Sequence, residues 1–159
     1  MRLFLAVAPP PEVRLAIQAQ TGAMAIPGKR VPADNWHITL RFLGEVGEIT
    51  ADRYIAAIDQ SDLGRSFIVG LDHIGAFPKP SRAGVVWDGV GRGSQRLFQL
   101  AEIADERALD TGLAGEDRPF RPHLTLSMIR PQARVTELVD ESELDVSWRV
   151  EALTLFRTV

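Results

Sequence analysis

Two of the three histidines in this 159-residue chain stand two positions before a threonine, in segments that echo one another: Trp36-His37-Ile38-Thr39-Leu40 and Pro122-His123-Leu124-Thr125-Leu126. With eight threonines in the chain, a given histidine meets one at that offset by chance roughly 5% of the time, and two of three doing so falls below about 1%. Side chains alternate along a strand, so His37 shares a face with Thr39, and His123 with Thr125. An imidazole titrates near neutrality, and two of them across a cleft can act as general acid and general base. Two hydroxyls beside them can donate hydrogen bonds to the non-bridging oxygens of a phosphoryl group, where charge develops. This constellation suits in-line attack on a phosphodiester and requires neither a metal nor a cofactor.

His73 has no matching threonine and reads as a structural histidine. A three-histidine metal site is disfavoured, because His73 bears no spacing relation to the other two and no carboxylate adjoins either motif. No metal site is therefore expected.

The elements that must position the two motifs can be read from periodicity. Strands are expected over 2–8, 36–43, 67–74, 84–90, 123–129 and 148–156, and helices over 12–20, 50–60 and 95–109. The last of these is the clearest, with Leu97, Leu100, Ala101, Ala104 and Ala108 as its stripe. Residues 22–34 read as a loop, 75–82 as a turn-rich connection, 112–122 as a linker, and 131–144 as helical or irregular. Strict alternation puts Ile38, Leu40 and Phe42 on an apolar face, likewise Leu124, Leu126 and Met128. The duplication suggests two similar half-domains facing each other, an α+β architecture.

Composition bounds the function. The chain has no cysteine, which removes disulfides, thiolate zinc sites and cysteine nucleophiles and suits a reducing compartment. A net charge of −3 argues against coating long nucleic acids, while leaving room for a small nucleotide or one RNA end. The apolar opening from Met1 to Ala8 is stopped by Pro9, Pro10 and Pro11, and no stretch reaches the length of a membrane span. The expectation is a cytoplasmic protein, monomeric, with no obligate protein partner. Neither phosphate-loop nor dinucleotide glycine spacing occurs.

At these residues the sequence resembles the 2H phosphoesterase superfamily, and more narrowly the bacterial and archaeal RNA 2′,3′-cyclic phosphodiesterases, formerly called 2′-5′ RNA ligases. The resemblance runs through Arg2-Leu3-Phe4-Leu5-Ala6-Val7, the stretch from Asn35 to Val46, Gly75-Ala76-Phe77-Pro78, Val86-Trp87 and the stretch from Pro119 to Leu126. It implies one domain over 1–159 made of two similar lobes, with two antiparallel sheets lining a central groove and helices on the outer faces. It implies hydrolysis of a 2′,3′-cyclic phosphate, on RNA ends or small cyclic nucleotides, to a 2′-phosphate without metal. His37 would be the proton donor to the departing 3′ oxygen and His123 the proton acceptor from water, with Thr39 and Thr125 holding the phosphate. Alternatives are 2′-5′ ligation at the same site and a non-catalytic module that binds nucleotides or RNA ends.

Two departures from the family's pattern bear on the site. Members often carry an arginine five residues after the second histidine, where this chain has Met128. The contact is then lost or supplied by Arg130, Arg121 or Arg41, of which Arg41 shares strand parity with His37 and Thr39. Relatives also usually continue past Leu155-Phe156-Arg157-Thr158-Val159 into another strand, so an unprotected sheet edge is expected there. Among the aromatics, Phe77 and Phe120 are assigned to loops near the groove as stacking residues. Trp36, Trp87 and Trp148 are assigned to core packing.

Overall fold

The computed structural model describes residues 1–158. The chain runs β1 (Arg2–Val7), α1 (Pro11–Thr21), β2 (Lys29–Arg30), a 3₁₀ turn (Ala33–Asn35), β3 (Ile38–Glu45), α2 (Glu48–Asp59), β4 (Phe67–Lys79), β5 (Arg82–Val90), α3 (Ser94–Asp110), β6 (His123–Ala133), α4 (Thr136–Glu141), β7 (Val146–Val150) and β8 (Thr154–Thr158). Each helix forms for a visible reason. Proline opens α1 at a position where no amide hydrogen is needed. Helix α3 buries the predicted stripe from Leu97 to Ala108. Tyr54 of α2 donates its hydroxyl to the Ala104 carbonyl of α3 at 2.9 Å, locking the two together.

The strands assemble in the order β7-β4-β5-β6-β3-β1-β8, every pairing antiparallel, with β2 added beside β6. The strands form one continuous sheet, and the two expected sheets correspond to its halves, β7-β4-β5-β6 and β3-β1-β8. They join through the single pair Ile38–Leu124, at the centre of the two His-x-Thr motifs. Helix α3 packs on β3 and α2 on α3, while α1 lies against β7 and α4 against β4. Each strand set thus has its own pair of helices.

Three elements differ from expectation. The segment 75–82 is not a loose connection: β4 and β5 stay paired down to Lys79–Arg82, leaving only Pro80 and Ser81 at the tip. Gly75 permits this, because a Cβ there would lie 2.1 Å from the Trp87 indole that crosses it. The predicted strand 148–156 is two strands on opposite edges of the sheet, β7 beside β4 and β8 beside β1. Its alternation of buried and exposed residues breaks at Glu151 and Ala152, both exposed, where the chain crosses over. Finally, β6 continues to Ala133, held by β5, before a short α4.

The central strands carry matching irregularities. Along β3 the pairing to β1 passes from Ala6–Thr39 to Leu5–Arg41, skipping Leu40. Along β6 the pairing to β5 passes from Trp87–Thr125 to Val86–Ser127, skipping Leu126. Each is a bulge that inserts one residue and reverses the alternation beyond it. Phe42 and Met128, expected on the apolar face, therefore emerge on the His-x-Thr face, 59% and 43% exposed. Arg41 and Ser127 turn inward instead and are buried.

Candidate active site

Antiparallel register fixes how the motifs meet. Ile38 pairs with Leu124, so one step either way brings His37 opposite Thr125 and Thr39 opposite His123. Both strands bury the leucine or isoleucine of that pair and turn their imidazole–hydroxyl faces to the same side. The four groups form a square, each histidine facing the other strand's threonine.

The two imidazoles are held alike. Nδ1 of His37 donates to the Asn35 carbonyl at 2.7 Å, and Nδ1 of His123 donates to the Arg121 carbonyl at 2.6 Å. A carbonyl only accepts, so the proton of each neutral ring resides on Nδ1 and Nε2 is left free to take or give a proton. Burial lowers the pKa of both rings below the usual histidine value, partly opposed by those carbonyl bonds. For His37 the proximity of His123 lowers it further. Each ring also rests among aromatics. Phe4 and Phe156 lie 4.7 and 6.0 Å from His37, and Phe77 and Trp87 lie 5.1 and 5.9 Å from His123. Phe156 pairs with Phe4, and Phe77 with Val85, at matching places in the two strand sets.

A groove of about 580 Å³ opens at the Thr39–His123 side of this square, lined by those two residues and by Phe42, Phe77, Arg118, Phe120 and Arg121 among others. That volume lies in the range of small-ligand sites. Its floor can hold a phosphoryl group between two hydroxyls, with an unprotonated Nε2 on one side and a protonated one on the other. Among the described residues, no group of three or more His, Asp or Glu side chains is placed to hold a metal ion.

The predicted binding residues fare differently. Thr39 and Phe77 line the groove, although Phe77 belongs to β4 rather than to a loop, and Thr125 lies on the same sheet face opposite His37. Phe120 is in a loop, as expected, and its ring meets Phe98 edge-on at 5.1 Å on the groove wall. Arg41 borders the groove, but past the bulge it turns inward and is 6% exposed. It is spent on Asp105 at 2.9 Å and on the carbonyls of Phe42 and Ala114. Arg130 lies on the His-x-Thr face of β6, two residues beyond Met128 and outside the groove lining. Arg118 and Arg121 also line the groove, the latter over the Phe77 ring at 5.9 Å. Sequence reading missed Phe4, Phe156 and Trp87 as neighbours of the imidazoles. Their signal was odd–even parity on strands paired with the motif strands. His73 lies on the face of His123 with Gly89 between them, its Nδ1 2.5 Å from Asp72.

The chain is similar to known proteins along most of its length. Residues 7–87 match the family model of LigT-like phosphoesterases. The RNA 2′,3′-cyclic phosphodiesterase of Aeropyrum pernix is 37% identical over 121 residues, 76% of this chain and 66% of that protein. The enzyme of the same name from Escherichia coli is 35% identical over 127 residues, 79% of this chain and 70% of that one. The crystal structure of E. coli LigT complexed with 3′-AMP superposes with a TM-score of 0.79 at 31% identity, covering 97% of this chain and 86% of that one. Identity of this extent, on a backbone that superposes almost from end to end, makes the chain a member of the LigT-like phosphoesterase family of the 2H superfamily.

Proposed function

We propose that this protein hydrolyses 2′,3′-cyclic phosphates on RNA ends or small nucleotides to 2′-phosphates, without a metal ion, through His37 and His123. The cyclic phosphate lies in the square of the two motifs, its non-bridging oxygens accepting from the Thr39 and Thr125 hydroxyls. Nε2 of His123 takes a proton from water as its oxygen attacks phosphorus. The bond from phosphorus to the 3′ oxygen breaks, and Nε2 of protonated His37 gives that oxygen its proton. The phosphate remains on the 2′ oxygen, and before the next turnover His123 releases the proton it gained and His37 takes one up to replace the proton it gave.

The observation that carries this reading is the identical tethering of two imidazoles through Nδ1, with both Nε2 atoms free and each facing the other strand's threonine. The relatives' names and the 3′-AMP seen in E. coli LigT support the substrate class. We read the two strand sets as lobes of one domain acting as a monomer in the cytoplasm. Among the described residues, no helix is long and apolar enough to cross a membrane.

The test is incubation with 2′,3′-cyclic AMP and with a short RNA bearing a terminal cyclic phosphate, in EDTA, with products resolved. A 2′-phosphate product, lost in His37→Ala, is the expected result. Absence of product from both substrates would overturn the proposal, and joining of RNA ends would assign the site to ligation.

A further inference from the structure

Beyond Phe120 the groove adjoins a second cavity of about 370 Å³ that the proposed chemistry does not use. Leu40, Arg41, Glu116, Arg118 and Phe120 form the wall common to both. On its other side is α3, which contributes Gln95, Phe98, Gln99 and Glu102. Those positions are spaced i, i+3, i+4 and i+7, so they make one face of the helix, distinct from the stripe buried in the core.

The chemistry of this face is specific. Phe98 is 48% exposed and meets Phe120 in a T-shaped pair, so an aromatic surface is offered to whatever enters. Gln99 accepts from Arg96 through its carbonyl at 2.6 Å, which leaves its amide hydrogens to donate. The charges do not suit a phosphate. Arg41 and Asp105 neutralise each other at 2.9 Å, leaving Arg118 against two carboxylates, Glu102 and Glu116. A flat, uncharged group with hydrogen-bonding edges fits instead: the aromatic pair takes its face, the glutamines its edge, and a carboxylate accepts from an amino group.

Resting on the cyclic phosphodiesterase reading above, we infer that this cavity binds the base of the nucleotide on the 5′ side of the cyclic end, with preference for a base bearing an exocyclic amine. The nucleoside attached to the cyclic phosphate occupies the groove between Phe77 and Phe120, and the chain continues past Phe120 towards Phe98.

The inference is tested by comparing 2′,3′-cyclic AMP with two dinucleotides that end in the same cyclic adenosine, one carrying adenine and the other uracil at the 5′ nucleotide. The wild type should turn over the adenine dinucleotide with the higher kcat/KM. Base–aromatic stacking contributes about 1–3 kcal/mol, so Phe98→Ala should lower kcat/KM on that dinucleotide roughly 5- to 150-fold while leaving cyclic AMP unchanged. Gln95→Ala should narrow the preference for adenine over uracil. Equal losses on the mononucleotide and dinucleotide, or no loss on either, would overturn the inference. If the wild type turns over none of the three, the phosphodiesterase reading has failed. Calorimetry with the uncleaved dinucleotide then tests the cavity alone, since binding weakened by Phe98→Ala supports it and unchanged binding overturns it.

Discussion

His37 and His123 are bound by the same device, Nδ1 of each donating to the carbonyl of the residue two places earlier, Asn35 at 2.7 Å and Arg121 at 2.6 Å. The device orients both rings and fixes one tautomer, so that only a proton on Nε2 distinguishes acid from base. Burial lowers both pKa values, and the proximity of His123 lowers that of His37 further.

The first prediction concerns pH. With both rings held below the usual histidine value, kcat/KM should follow a bell whose maximum lies on the acid side of about 6.5, the unperturbed histidine pKa. The same shifts act on stability. A depressed folded-state pKa contributes stability above the unfolded value, and that contribution is lost as pH falls below it. A bell centred above neutrality in the free enzyme would contradict the burial of the two rings. Alanine at either position should cost about 10²- to 10⁴-fold in rate, and the double variant little more than the worse single one.

The second prediction isolates the hydroxyls. Thr39→Val and Thr125→Val keep side-chain shape and remove one donor each, so kcat should fall about 10²- to 10³-fold at unchanged melting temperature. Thr→Ser at either site should restore most of the rate. Steady-state kinetics beside thermal denaturation separates this outcome from simple unfolding, which would lower both together.

Arg41 gives the third prediction, and it turns on the bulge. Were Arg41 a phosphate contact, Arg41→Ala would raise KM and leave the fold intact. Its guanidinium instead joins β3 to Asp105 of α3 and to the Ala114 carbonyl. Removing it leaves Asp105 with the Glu116 amide as its hydrogen-bond donor and frees the loop, so the variant should lose about 2 kcal/mol of stability in urea denaturation. A variant as stable as the wild type would return Arg41 to the list of substrate contacts.

That example shows where sequence reading stops. The motif histidines and threonines, the stripe of α3 and the α+β order were legible, because each depends on local periodicity. The bulges were not, since the extra residues Leu40 and Leu126 are apolar and continue an apparent alternation. One inserted residue moved Arg41 off the reactive face and brought Phe42 and Met128 onto it. The partner that claims Arg41 is 64 residues away in sequence, beyond the reach of any local pattern. Likewise, 148–156 reads as one strand because nothing local shows that its halves pair with opposite edges of the sheet.

The last prediction concerns Asp88, which lies on the core side of β5 between Ile74 and Leu124, next to the strand that carries His123. It is fully buried, and neither carboxyl oxygen has a hydrogen-bond partner among the described residues. Burial therefore pushes its pKa from 3.8 up to about 8. The sign follows from proton counting. Between those values the folded chain holds a proton that the unfolded chain has released. The contribution of this group is therefore fully present below the unfolded pKa and is lost as pH rises towards the folded one, by at most about 1.4 kcal/mol per pH unit. Asp88→Asn keeps the shape and cannot ionise. Its stability relative to the wild type should rise between about pH 5 and pH 8 and then level off, as measured by urea denaturation across that range. Parallel curves for the two proteins would show that Asp88 is ionised in the fold and has a partner. A widening gap would show that a neutral carboxyl lies beside the strand that carries His123 and that its ionisation limits the stability of the fold on the alkaline side.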